Sequence, residues 1–211
     1  MTWHTALFDL DGTISNPLEG IHKSINHTLL AFGHNAVTSA QVRSMIGPPL
    51  TEIFESILGP VDEANMIGLI DTYRERYADV GYAENIVYEG IPDMIHNLHD
   101  AGLRMGICTS KRVDYAGRII DMFGLGDYFL FVDGGDVHIK KATQIERLVA
   151  SGIDVTKTVM IGDRAVDIDA ARRNSVASIG VAWGFGDYTE LDQANPDHIV
   201  HSPRELLECL L

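Results

Sequence analysis

Two cysteines in 211 residues are too few for a disulfide framework. One of them, Cys108, closes the apolar run Met105-Gly106-Ile107-Cys108, a place for a buried, inert thiol. A reduced, cytoplasmic setting is the expectation. Long apolar runs are also missing: no stretch approaches the roughly 20 residues that a membrane-spanning helix needs. The N-terminal segment runs straight into a strand pattern, without the basic region and apolar core of a secretory leader, so secretion is not expected. Positive charge is scarce. Sixteen Lys and Arg against 30 Asp and Glu leave a net charge of −14, which argues against a nucleic-acid polymer or an anionic membrane as main partner. A small anionic ligand stays open, because a metal ion and a few Lys or Arg can reverse the field within one cleft. The nine His show no HExxH-type spacing and no Cys/His cluster. His22, His96 and His99 read as surface or interface residues on helices. No internal repeat or low-complexity tract is present.

What the chain does have begins at Ala6-Leu7-Phe8-Asp9-Leu10-Asp11-Gly12-Thr13. An apolar run ends in two acids on alternate residues, then glycine and threonine. As a buried strand, its period of two puts both carboxyls on one side at the carboxyl end, where open α/β sheets bind ligands. Taken alone, the same residues would also serve a strand ending in an Asx turn.

From there to about Tyr88 the periodicity is helical. Ile21, Ile25, Leu29 and Phe32 mark one helix, stopped at Gly33, and Thr38 is placed to cap a short second one. Gly47-Pro48-Pro49 breaks the chain, Thr51 to Leu58 reads as a third helix, and Met66, Ile70, Tyr73 and Tyr77 line a longer fourth. After Gly90, strands and helices alternate. Strands are predicted at 103–108, 128–132, 158–161, 177–181 and 198–200. The intervening helices are predicted at 92–101, 113–123, 141–151 and 165–173, with a last one from Pro203. This alternation implies parallel βα units with right-handed crossovers. The predicted architecture is α/β: a Rossmann-like parallel sheet core from 1–14 and 88–211, with an all-α cap inserted at 15–87.

Three further clusters punctuate the core. Thr109-Ser110-Lys111 ends the second core strand, and Lys141 opens a helix. Gly162-Asp163-Arg164-Ala165-Val166-Asp167 follows the strand Thr158 to Ile161. Asp9 and Asp163 could offer hard oxygens to a cation that keeps several waters, which suits Mg²⁺. Asp167 lies one helical turn beyond Asp163 and faces the same way.

In this order, the Asp-x-Asp-Gly-Thr segment and the three clusters resemble the motifs of the haloacid dehalogenase superfamily, over essentially the whole chain. The resemblance implies that Asp9 is a nucleophile and Asp11 a general acid/base. It implies that Thr109 and Lys141 hold the transferring phosphoryl group. Mg²⁺ would be held by Asp9, Asp163, Asp167 and Asp11, the last through its backbone carbonyl. An acid at Asp11 points to phosphate esters. Lys140 beside Lys141 could compete for the site, but the helix pattern Ile145, Leu148, Val149 aligns Lys141 with the family position. The family's usual stretch before that lysine is only loosely matched by Asp133 to Ile139.

The helical insert resembles the C1-type cap of phosphoglycolate phosphatase-like enzymes, including 5′-nucleotidases. Gly47-Pro48-Pro49-Leu50 and Tyr88-Glu89-Gly90-Ile91-Pro92 carry that likeness. It implies a small phosphorylated metabolite as substrate, held by Thr109, Ser110 and Lys141; Lys111 and Arg164 on the core and Arg43 and Lys23 on the insert are candidate contacts that would serve equally as solvated surface. Trp183-Gly184-Phe185-Gly186 reads as loop packing. A phosphomutase acting on a sugar phosphate and a catalytically idle binding protein are the rival readings. A monomer or homodimer is expected.

Overall fold

The structure is a computed structural model, and it describes residues 3–135 and 139–211. In chain order the elements begin with β1 (Thr5–Phe8) and β2 (Ser15–Asn16). Four helices follow: α1 (Leu18–Ala31), α2 (Ser39–Arg43), α3 (Leu50–Leu58) and α4 (Glu63–Asp79). The chain continues through β3 (Ile86–Val87), α5 (Ile91–Asp100), β4 (Arg104–Arg112), α6 (Val113–Met122), β5 (Val132–Gly135) and α7 (Lys141–Ala150). It closes with β6 (Thr158–Gly162), α8 (Ala165–Arg173), β7 (Ala177–Val181), α9 (Tyr188–Ala194), β8 (His198–Val200) and α10 (Pro203–Leu210). Contacts divide the chain into two units. One holds the residues up to Asn16 together with Val87–Leu211; the other is Pro17–Ile86.

The first unit is built on a six-stranded sheet of order β5-β4-β1-β6-β7-β8, all of whose pairings are parallel. β1 lies between β4 and β6 because it can be covered on both faces. Ala6, Leu7 and Phe8 have no exposed surface, and an unbroken apolar run is what a doubly covered parallel strand requires. On one face Leu7, Cys108 and Met160 pack with Ile145 of α7 and Ala170 and Ala171 of α8. Phe8 points the other way and meets the edge of Phe129, ring centroids 6.1 Å apart.

Two strands depart from expectation. β4 does not stop at Cys108 but runs on through Thr109-Ser110-Lys111 to Arg112, with an irregularity in its pairing to β5 between Thr109 and Arg112. The strand expected at 128–132 is displaced to Val132–Gly135, after a 3₁₀ turn at Gly126–Tyr128. The cause lies at Gly134 and Gly135. A methyl on Gly134 would lie 2.3 Å from Val113 N, and one on Gly135 2.4 Å from Ser110 O. Only residues without a side chain let β5 approach β4 there. Helix α9 has no counterpart among the elements expected from the sequence; Asp187 starts it by accepting from Glu190 N at 2.7 Å.

The second unit is all helical through α1 to α4, with a 3₁₀ turn at Gly81–Ala83. Thr38 caps α2 in a capping box with Gln41, as its sequence position predicts. Phe54 and Tyr73 meet edge to face, and Tyr73 stacks on Tyr77 at 5.4 Å. Arg76 bonds Glu84 at 2.9 Å and Ser24 Oγ at 3.0 Å, joining three segments of the bundle. No helix among the described residues is long and apolar enough to cross a membrane.

Candidate active site

The carboxyl ends of β1 and β6 and the first turns of α7 and α8 converge on one buried spot. Asp9 directly follows β1, and its N–H donates to Ile161 O at 2.9 Å, which keeps it level with the end of β6. Asp163 directly follows β6, and Asp167 sits in the first turn of α8, where its Oδ2 accepts Arg164 N at 3.1 Å. Asp9, Asp163 and Asp167 are all buried, and an oxygen from each lies within 4.8 Å of the other two.

Lys141, the first residue of α7, enters this cluster; Lys140 stays exposed. The Lys141 ammonium donates to Asp167 Oδ1 and stands 3.0 Å from Asp9 Oδ1. Burial works against its charge, but Asp167 and Asp9 outweigh burial and hold its pKa above the usual lysine value. Burial, joined by the neighbouring Asp167 and Asp9, pushes Asp163 up to about 8. Burial likewise lifts Asp167 to about 6, against the pull of Lys141. Asp11 is raised too, burial outweighing the lysine at its side. That lysine is Lys111, whose ammonium lies 2.8 Å from Asp11 Oδ2.

Four carboxylates therefore share two ammonium groups in a largely buried site. Asp9 Oδ1 is buried and makes no hydrogen bond of good geometry among the described residues, although Lys141 is near. Surplus buried negative charge of this kind is costly unless a cation balances it. Clustered hard oxygens are the donor set that a divalent cation of the Mg²⁺ or Ca²⁺ type takes. The residues fit such an ion.

The surroundings are shaped to hold Asp163. Its Oδ2 accepts Phe185 N at 2.7 Å and its Oδ1 accepts the Thr13 hydroxyl at 3.3 Å. Gly12 turns the chain with φ +89°, and a methyl there would lie 2.1 Å from Asp163 Oδ2. Gly184 packs as closely, since its methyl would fall 2.3 Å from Asp163 Cβ. Trp183 ties the same loop to β1's turn by donating Nε1–H to Thr13 O at 3.0 Å. The loop Trp183 to Gly186 is thus loop packing, but packing that forms the wall of the acid cluster.

Thr109 is buried at the end of β4's regular pairing, and Ser110 beside it is exposed. Gln144, one turn into α7, donates to Thr109 O at 3.1 Å and to Asp133 O and Oδ1 at 3.2 Å. Neither Gln144 nor Thr13 stands out in the sequence as a site residue; their spacing from Lys141 and Asp11 is the signal it held. Arg164 is tied down by Glu190, which also accepts Ala165 N at 2.8 Å. Arg43 and Lys23 belong to the second unit. Arg43 is exposed at the end of α2, and Lys23 pairs with Glu19 and Glu84. Of the loosely matched stretch before Lys141, Asp136 to His138 lie outside the described residues.

Fold and site define a class: an α/β protein that gathers cation-competent carboxylates at the carboxyl edge of a parallel sheet. Within it, the chain belongs to the haloacid dehalogenase-like hydrolases, whose family model matches residues 6–181. It is 37% identical over 196 residues to a 5′-nucleotidase of Pseudomonas aeruginosa, covering 91% of this chain and 88% of the relative. A phosphoglycolate phosphatase of Agrobacterium fabrum is 28% identical, covering 92% and 87%. A tyrosine-protein kinase, PtkA of Mycobacterium tuberculosis, is 28% identical, covering 97% and 71%. Among solved structures, a predicted phosphatase from Clostridium acetobutylicum superposes with a TM-score of 0.92 at 34% identity, covering 100% and 99% of the two chains.

Proposed function

We propose that the protein is a Mg²⁺-dependent phosphomonoesterase acting on a small phosphorylated metabolite, with phosphoglycolate or a nucleoside 5′-monophosphate as the leading candidates. The observation that carries this reading is the convergence of Asp9, Asp163, Asp167 and Lys141 on one buried spot beside Asp11. Names borne by relatives, a 5′-nucleotidase and a phosphoglycolate phosphatase, support the substrate class.

Asp9, Asp163 and Asp167, with the Asp11 carbonyl, would hold the cation, which supplies charge neutralisation between the Asp9 carboxylate and the substrate phosphate. The rest falls to the chain. A carboxylate oxygen of Asp9 attacks phosphorus in line; the Asp9 O–P bond forms as the ester P–O bond breaks. Asp11 gives its proton to the departing alkoxide. It then takes one from the water that attacks the aspartyl phosphate, freeing inorganic phosphate and restoring both acids to their starting states. Lys141 and the Thr109 hydroxyl bind phosphoryl oxygens, with Ser110 as a further donor. Lys141 also keeps Asp9 and Asp167 oriented.

The test is phosphate release from a panel of phosphorylated metabolites with Mg²⁺, run beside Asp9→Asn. Turnover by the native chain and its loss in the variant, by roughly 10⁴-fold or more on the scale of removed nucleophiles, is the expected result. Release from none of the panel, or an active Asp9→Asn, refutes the reading. Isomerisation of a sugar phosphate without phosphate release would instead favour a phosphomutase.

A further inference from the structure

We propose that Lys111 is a positioning residue for Asp11: it holds one oxygen of that carboxylate so that the other is presented to the ester oxygen. The inference rests on the phosphomonoesterase reading and gives Lys111 a role other than binding substrate. Two independent features of the structure lead to it.

The first is the pair itself. The Lys111 side chain is only 8% exposed, and its ammonium lies 2.8 Å from Asp11 Oδ2. A lysine gives up most of its rotamer freedom and its hydration when buried, so a fold keeps it there for a partner. The second Asp11 oxygen, Oδ1, is buried and has no hydrogen-bond partner among the described residues. One oxygen is thus held and the other is left to act.

The second feature is how the backbone brings Lys111 there. β4 extends past Thr109, and Lys111 N donates to Thr109 Oγ1 at 3.2 Å. Gly134 and Gly135 at the end of β5 lie against Lys111 O and Ser110 O so closely that a methyl on either would stand 2.8 or 2.4 Å away. The strand end carrying Lys111 is therefore fixed by two glycines and a side-chain hydrogen bond. Ser110, between them, faces out. The reach to Asp11 is built into the sheet edge rather than left to a mobile side chain.

A residue acting through Asp11 leaves a particular kinetic trace. Lys111→Met should lower kcat on phosphoglycolate by roughly 10²-fold, the loss expected when a reacting group is misplaced by about 1 Å, while KM moves by less than about threefold. Lys111→Arg, which keeps the charge and a donor, should recover kcat to within about tenfold of the native value. The decisive comparison is a double-mutant cycle on p-nitrophenyl phosphate, whose leaving group needs least protonation, so that the residual rate of Asp11→Asn can be read. In that background Lys111→Met should cost nothing further.

A raised KM with native kcat, or an added tenfold loss in the Asp11→Asn background, would make Lys111 a substrate contact and overturn the inference. Native kcat in Lys111→Met would overturn it too. Should Lys111→Met fail to melt cooperatively, Lys111→Gln takes its place with the same expected loss. An inactive native chain, or an active Asp9→Asn, would strike the functional reading instead. The two failures therefore look different.

Discussion

Asp163 has no exposed surface and two carboxylates for neighbours, and burial with that company lifts its pKa from 3.8 to about 8. A group whose proton is held more tightly folded than unfolded lends stability below its unfolded pKa and loses it as the pH climbs through the folded one. Protein stripped of divalent cations with a chelator should therefore grow less stable between pH 4 and pH 8. By this one group the loss is of the order of a few kcal/mol, since each tenfold change in proton affinity is worth about 1.4 kcal/mol. Asp163→Asn should flatten that slope and raise Tm at pH 8, and Mg²⁺ should do the same to the native chain. Thermal melts at several pH values, with and without Mg²⁺, check this; a slope unaltered by Asp163→Asn would mean the strain lies elsewhere. Lys141 belongs to the same balance, since Asp167 and Asp9 hold its pKa above the usual lysine value against the opposing effect of burial.

Among the elements, the turn after β1 is the least forgiving. Gly12→Ala forces a side chain into a left-handed conformation and drives a methyl to 2.1 Å from Asp163 Oδ2. The conformation alone costs about 1–3 kcal/mol, and the displaced carboxylate should lower phosphate release by far more than the melting shift implies. Paired melting and turnover measurements test it, and a variant with native kcat would show that Asp163 can move without harm. Elements of this kind were legible in the sequence where chemistry is dense within a few residues. The pairs Asp9/Asp11 and Asp163/Asp167 and the opening Lys141 each carry strand-end or helix-start signals locally. What was not legible depends on contacts between distant segments. β5 shifts toward Gly135 because of backbone packing on Ser110 and Val113. Helix α9 is seven residues long, follows a glycine-rich loop and buries only Leu191 and Ala194, too little to show a period. The partners of Arg164 and Lys111, Glu190 and Asp11, are 26 and 100 residues away, beyond any local pattern.

For the whole molecule, the net charge of −14 repels a dianionic ester at long range. Within the site, three carboxylates, a protonated Asp11, two ammonium groups and one divalent cation leave about one positive charge, too little to reverse that field far into solution. Salt should therefore leave kcat/KM level or raise it as screening shortens the repulsion to roughly 10 Å at 0.1 M. Steady-state rates on phosphoglycolate across ionic strength test this, and a steep fall would reveal a positive approach surface. The registry of β1 has a consequence for how the chain is made. Thr5 faces Arg104 on one side and Thr158 on the other. During synthesis β1 emerges ahead of both its neighbours, and about 150 further residues must follow before both its edges are covered. Until then it is a bare template for mispairing, of the sort chaperones bind. The ion cannot help at that stage, because Asp163 and Asp167 leave the ribosome last among its ligands; metal can only lock a nascent chain that has already found its way home.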